Sequence, residues 1–173
     1  MSSQTSSIWL KPCFLMGVFP VFFTLILQTC VFWDKSYLSS MEKIEHIGIA
    51  VKDLESSNQL FEKLLGNPHY KIEEVASEGV KTSFFRSGPN KIELLEATHP
   101  HSPIAKFIEK KGEGIHHIAF AVDDIVSEIT RLKSEGFIVL NETPKKGADN
   151  KLVAFLHPKS TNGVLVELCQ DIH

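Results

Sequence analysis

At 173 residues the chain has room for one ordinary domain plus an extension, and the roughly 130 residues from position 41 onward suffice to bury a sizeable core. A net charge of -3 and a pI near 6.2 give no electrostatic footing for nucleic acid. Of the three cysteines, Cys13, Cys30 and Cys169, only the last lies beyond residue 40, so no disulfide framework and no oxidising compartment are called for.

Residues 1–40 differ sharply from the rest. Pro12 to Trp33 is a 22-residue run without charge, long enough to span a bilayer. It lacks the features of a signal peptide, with only Lys11 ahead of it and no clear small-x-small cleavage pattern before Asp34. Gly17, Pro20 and Gln28 weaken it as a membrane helix. The competing readings are an upstream-start artefact, with translation beginning at Met41, a genuine membrane anchor, and secretion. The first two leave the domain at 41–173 cytoplasmic.

Glu42 to Val51 reads as the first strand. Asp53 is a good N-cap for a helix whose Leu54, Leu60, Phe61, Leu64 and Leu65 would form one apolar stripe before Gly66 stops it. Three strand-like runs follow, at Ile72–Ala76, Val80–Arg86 and Lys91–Ala97, with Ser87 to Asn90 as the hairpin between the last two. Ser102-Pro103 starts a linker helix that runs through Ile104 to Lys111 until Gly112. The order then repeats. Ile115–Val122 is a strand, Asp124 caps a helix carrying Ile125, Ile129 and Leu132, Gly136 ends it, and Phe137–Glu142, Leu152–His157 and Val164–Cys169 are further strands. Lys145 to Asn150 reads as a mobile polar loop and Thr161-Asn162-Gly163 as a tight turn. The fold class expected is α+β, two βαβββ modules (about 42–98 and 114–171) pairing into a cup.

The repeat is visible residue by residue. His46-Ile47-Gly48-Ile49-Ala50-Val51-Lys52-Asp53-Leu54 recurs as His117-Ile118-Ala119-Phe120-Ala121-Val122-Asp123-Asp124-Ile125, identical at five of nine positions. Each copy closes on a second shared fragment, Ile92-Glu93-Leu94 and Val166-Glu167-Leu168, placed 47 and 50 residues after its histidine. Alternate side chains of a strand share a face, so His46 lies beside Gly48 and Ala50, and His117 beside Ala119 and Ala121. Each histidine thus stands on a nearly bare face opposite a bulky one. A carboxylate on an apolar strand is costly to bury unless it is paired or bound to a metal.

Two imidazoles and two carboxylates suit a divalent first-row ion and leave coordination positions open. An isolated histidine more often serves a local hydrogen bond, but paired positions on a shared face favour ligation here. Alternation selects one residue of His116-His117: His117 aligns with His46, and His116 is expected to face the other way. His99 and His157 read as loop or surface residues. Lys145, Lys146, Lys151 and Lys159 would be either a basic rim for phosphates or simply solvated.

With these residues in view, the sequence resembles the vicinal oxygen chelate (glyoxalase-like) superfamily over residues 42–170, and within it the methylmalonyl-CoA epimerase branch. Its metal pattern lies in His46 to Ala50, Lys91 to Leu95 and Gly163 to Leu168. The branch is marked by Gly112-Glu113-Gly114-Ile115-His116-His117 and Phe155-Leu156-His157-Pro158-Lys159. The resemblance implies that His46, Glu93, His117 and Glu167 hold a divalent metal, cobalt by expectation, and that the substrate is an acyl-CoA thioester inverted at the carbon between thioester and carboxylate. Some members have Gln where Glu93 stands, and the extra carboxylate should tighten cation binding. Some members also carry a second glutamate where Thr82 stands, and a threonine hydroxyl is too weak a base to replace it. Glu167 is the candidate catalytic base for one face, the partner on the other being unassigned. A homodimer is the family expectation. The alternatives are a glyoxalase I-type lyase acting on a glutathione hemithioacetal and a non-catalytic small-molecule-binding member.

Overall fold

The computed structural model describes Met41 and residues 43–173. The expectations for residues 1–40 and for Glu42 lie outside the described residues. Eight strands, β1 (Lys43–Val51), β2 (Lys71–Val75), β3 (Val80–Ser87), β4 (Asn90–Ala97), β5 (Gly114–Ala121), β6 (Lys145–Lys146), β7 (Lys151–Leu156) and β8 (Leu165–Asp171), form one mixed sheet in the order β2-β3-β4-β1-β5-β8-β7-β6. The order reads outward symmetrically from its centre. β1 pairs parallel with β4, β5 pairs parallel with β8, and the two halves join along an antiparallel β1–β5 seam. The expected pair of modules is therefore present, as two halves of a single sheet.

Three helices, α1 (Leu54–Leu65), α2 (Pro103–Lys111) and α3 (Ile125–Ser134), begin where the sequence supplies caps. Asp53 accepts from Ser56 N at 2.7 Å, Ser102 from Ala105 N at 3.1 Å ahead of Pro103, and Asp124 from Val126 N and Ser127 N at 3.1 and 3.0 Å. Such caps are worth about 1 kcal/mol each. α1 closes on Gly66, whose left-handed backbone (φ 73°) lets its N–H reach Glu62 O at 2.9 Å. Among the described residues, no helix is long and apolar enough to cross a membrane.

The bulky faces of the strands meet the helices. Val51, Leu54, Phe85 and Leu94 form a core under α1, and Val122, Ile125, Ile129, Leu132, Leu156 and Leu168 form its counterpart under α3. The expected α1 stripe is corrected at two positions. Leu60 and Leu64 are exposed (62% and 70%), while Asn58 is buried and accepts a hydrogen bond from Ser83 Oγ at 2.5 Å. The inward face follows residues 54, 58, 61 and 65, the helical spacing, and a polar residue occupies one place because β3 offers it a hydroxyl.

Two elements of the second half also differ from expectation. Phe137–Glu142 is not a strand: it makes only the isolated bridge Val139↔Leu156, because Asn141 spends its side chain on Val153 O and Phe155 N. The edge strand is instead Lys145–Lys146, inside the segment expected to be a mobile loop. That loop is tied down across the mouth of the cup. Asp149 pairs with Lys91 (2.7 Å) and Lys71 (3.2 Å), its N–H donates to Glu73 at 3.0 Å, and Lys145 pairs with Glu78 at 2.5 Å.

Candidate metal centre

The other face of the sheet lines one cavity shared by both halves. Ala50, Val80, Leu95 and Ile104 pack under α2, and Ala119, Val153 and Cys169 sit across from them. Gly48 and Ala119 are the cross-strand partners of His117 and His46 on the β1–β5 seam. The nearly bare face therefore serves the opposing half: each small residue makes room for the histidine of the other copy. A Cβ on Gly48 would stand 2.2 Å from Cε1 of His117.

The structure brings all four expected residues together, each buried to 6% exposure or less. The Nε2 atoms of His46 and His117 face each other at 2.9 Å. Glu167 Oε2 lies 3.0 Å from His117 Nε2 and 3.7 Å from His46 Nε2, and Glu93 Oε2 lies 3.2 and 3.5 Å from His46 and His117. His46, His117 and Glu167 form a mutually close trio, and Glu93 adjoins both rings. Donors about 2.1 Å from one ion at right angles are about 3 Å apart, so the separations among His46, His117 and Glu167 fit a shared divalent cation, with the Glu93 carboxylate against both rings. The second oxygen of Glu167, Oε1, accepts from Cys169 Sγ at 3.2 Å, and both residues line the cavity.

Charge is concentrated here. Burial pushes both imidazoles down in pKa, but the carboxylates reverse this: Glu93 foremost holds His46 well above its ordinary value, and Glu167 holds His117 at about 9. Glu93 and Glu167 are driven low by the same contacts, against a burial penalty. Burial and the Glu167 charge raise the Cys169 thiol.

One site expectation is overturned. His116 does not face away: it lines the cavity, with its Nδ1 3.0 Å from His117 Nδ1, and burial with the neighbouring His117 lowers it to about 4. The cause is a bulge. Pairing runs Gly48↔His117 and then Ile49↔Ile115, leaving His116 as an extra residue, and β1 has its own at Glu45, between Ile44↔Phe120 and His46↔Ala119. Glu45, which strand alternation would turn to the other face, thereby also enters the cavity, buried and 2.5 Å from His46 Nδ1. The signal for it was in the repeat, since Glu45-His46 and His116-His117 occupy equivalent places.

The remaining candidates are distributed as follows. Thr82 is buried in the cavity wall, with its hydroxyl 3.5 Å from Glu73 O. His157 caps a short turn by accepting from Lys159 N at 3.0 Å. Two of the four lysines considered for a phosphate rim are engaged internally, Lys145 with Glu78 and Lys151 with Asp171 and Glu45.

Comparison with known proteins gives a consistent picture. Residues 45–155 match the profile of the Glyoxalase/Bleomycin resistance protein/Dioxygenase superfamily. The ethylmalonyl-CoA/methylmalonyl-CoA epimerase of Cereibacter sphaeroides is 43% identical over 130 residues, covering 74% of this chain and 97% of that protein. The mitochondrial methylmalonyl-CoA epimerase of Dictyostelium discoideum is 42% identical over 127 residues, covering 73% and 76%. A solved methylmalonyl-CoA epimerase in complex with methylmalonyl-CoA and NH4+ superposes with a TM-score of 0.73 at 32% identity, covering 76% of this chain and 96% of the other.

Proposed function

We propose that this chain, which belongs to the Glyoxalase/Bleomycin resistance protein/Dioxygenase superfamily, interconverts the (R) and (S) forms of methylmalonyl-CoA by moving the proton on the carbon between thioester and carboxylate. The observation that carries this is the convergence of two imidazoles and two carboxylates on one buried point, in a chain 43% identical to an epimerase of that substrate class. His46, Glu93, His117 and Glu167 are the proposed ligands of a divalent ion, cobalt being the expected one. When bound, such an ion supplies positive charge against the negative charge that develops on the thioester oxygen, worth several kcal/mol.

The chain's own groups do the rest. Oε2 of Glu167 faces the histidines while Oε1 accepts from the Cys169 thiol, and both residues line the cavity, so one carboxylate can both hold the ion and take the substrate proton. The Cys169 thiol donates to Oε1 and fixes its direction. Apolar walls from Val80, Phe84, Leu95, Ile104, Val153 and Phe155 exclude water from the enolate left behind. Thr82 contributes a hydroxyl, not a carboxylate, to that wall.

The same reading includes a homodimer, a cytoplasmic setting, and membrane attachment only where residues 12–33 are retained. Residues 1–40 are proposed to be dispensable, with 41–173 as the active domain. The test is deuterium exchange: metal-loaded protein should exchange the α-proton of methylmalonyl-CoA in heavy water, a chain starting at Met41 should do so equally, and His117→Ala should abolish it with the fold intact. Undiminished exchange in His117→Ala would remove that histidine from the reaction.

A further inference from the structure

Each strand that supplies a histidine carries its bulge at the residue just before it, Glu45 in β1 and His116 in β5. A bulge leaves one residue unpaired and re-aims its side chain. Both re-aimed side chains end against the Nδ1 of the histidine that follows, Glu45 Oε2 at 2.5 Å from His46 and His116 Nδ1 at 3.0 Å from His117. The far nitrogens, both Nε2, point at each other across 2.9 Å. An imidazole that offers Nε2 as a lone pair to a cation carries its proton on Nδ1, and that proton needs an acceptor which also fixes the plane of the ring.

We propose that Glu45 and His116 are the positioning residues of the two ligand histidines, each accepting the Nδ1–H of its neighbour and so holding Nε2 towards the shared cation position. This rests on the metal-centre reading above. The two acceptors are chemically different. Glu45 is an anion held in place: Oε1 takes Lys91 and also Lys151 at 3.2 Å, and these lysines continue to Asp149 at 2.7 Å and Asp171 at 2.6 Å. A buried carboxylate is retained only when so paired. His116 is a neutral acceptor seated edge-on against Phe107, ring centroids 4.9 Å apart. The first copy therefore gives its histidine a charged partner and the second a neutral one, which makes His46 the stronger donor of the two.

The test uses the full chain loaded with cobalt, its affinity measured by competition with a coloured chelator, and zinc-loaded protein for NMR of the ring nitrogens. Loss of an orienting partner typically weakens metal binding by about 10- to 100-fold. Glu45→Leu should fall in that range, and Glu45→Gln should fall less because its amide oxygen still accepts Nδ1–H. His116→Phe, which keeps the packing on Phe107, should lose roughly 10-fold. In the unsubstituted protein both ligand rings should carry their proton on Nδ1. His46→Ala separates the two readings: if it loses cobalt while Glu45→Leu and His116→Phe bind as tightly as the parent, the positioning role is overturned and the metal centre stands. Undiminished binding in His46→Ala would overturn the metal centre itself. Should Glu45→Leu fail to fold, Glu45→Gln and the ring tautomers decide, and a proton on Nε2 of either ligand histidine in the zinc form sinks the proposal.

Discussion

Substituting Gly48 by alanine is a sharp probe of the centre, because it adds one methyl group and removes nothing. The new Cβ would stand 2.2 Å from Cε1 and 2.6 Å from both nitrogens of the His117 ring, whereas ordinary contact begins at 3.4 Å. The ring must therefore retreat by about 1.2 Å. Its other sides are taken by His116, Phe155 and Glu167, so the retreat carries Nε2 off the cation position. Metal–ligand distances tolerate about 0.2 Å, and a misplacement of about 1 Å in a catalytic group costs roughly 100-fold in rate. The fold should survive, since overpacking costs about 1–3 kcal/mol and alanine suits a strand better than glycine by about 0.5–1 kcal/mol. The expected outcome is a modestly lowered Tm, cobalt affinity reduced by about two orders of magnitude, and α-proton exchange reduced at least as much. The assays are chelator competition, deuterium exchange and thermal unfolding on the same preparation. A Gly48→Ala protein that binds cobalt and exchanges the proton like its parent would refute the placement of His117 beside β1 and, with it, His117 as a ligand.

Two further outcomes are expected away from the centre. Asn58→Ala should destabilise the fold by about 1–3 kcal/mol, since it strips a buried partner from Ser83, and denaturant unfolding would measure it. Asp149 accepts from Lys91 and Lys71, and although burial pushes its carboxyl up, these contacts hold it below the ordinary value. A depressed carboxylate contributes stability that is present above its unfolded pKa near 3.8 and lost as pH falls through the folded one. Protection of the amides at 147–150, taken relative to their intrinsic exchange rates, should therefore fall below about pH 4, and Asp149→Asn, which tolerates the left-handed backbone there (φ 51°), should lower it roughly five-fold at neutral pH. Unchanged protection in both conditions would show that the ion pairs do not hold the loop.

The repeat makes the double module and the four converging side chains legible in the sequence, and the capping residues do the same for the helix starts. Each follows from a local rule: alternation along β4 and β8 puts Glu93 and Glu167 on the cavity face, and Asp53, Ser102 and Asp124 announce their helices. The misses share a physical origin too. Alternation failed at Glu45 and His116 because pairing register is a property of two strands together, and neither sequence alone says where it slips. Leu60 and Leu64 looked like core because they are apolar, but the hydroxyl of Ser83 on a distant strand made Asn58 the residue to bury. The loop at 145–150 looked mobile because it is polar, while its anchors, Lys71, Glu73, Glu78 and Lys91, come from the other copy.

The two bulges on the central seam behave like a pair of compensating frameshifts. The insertion in β1 advances that strand by one residue against its neighbour, and the insertion in β5 brings it back, so pairing on either side of the His46–His117 stretch keeps a common phase. Because Glu45 and His116 each stand outside the pairing, deleting either one would leave the pairs on both sides of it, and the faces they present, in place. What such a deletion removes is the side chain beside one imidazole, so each insertion serves the ring next to it and not the register of the strands.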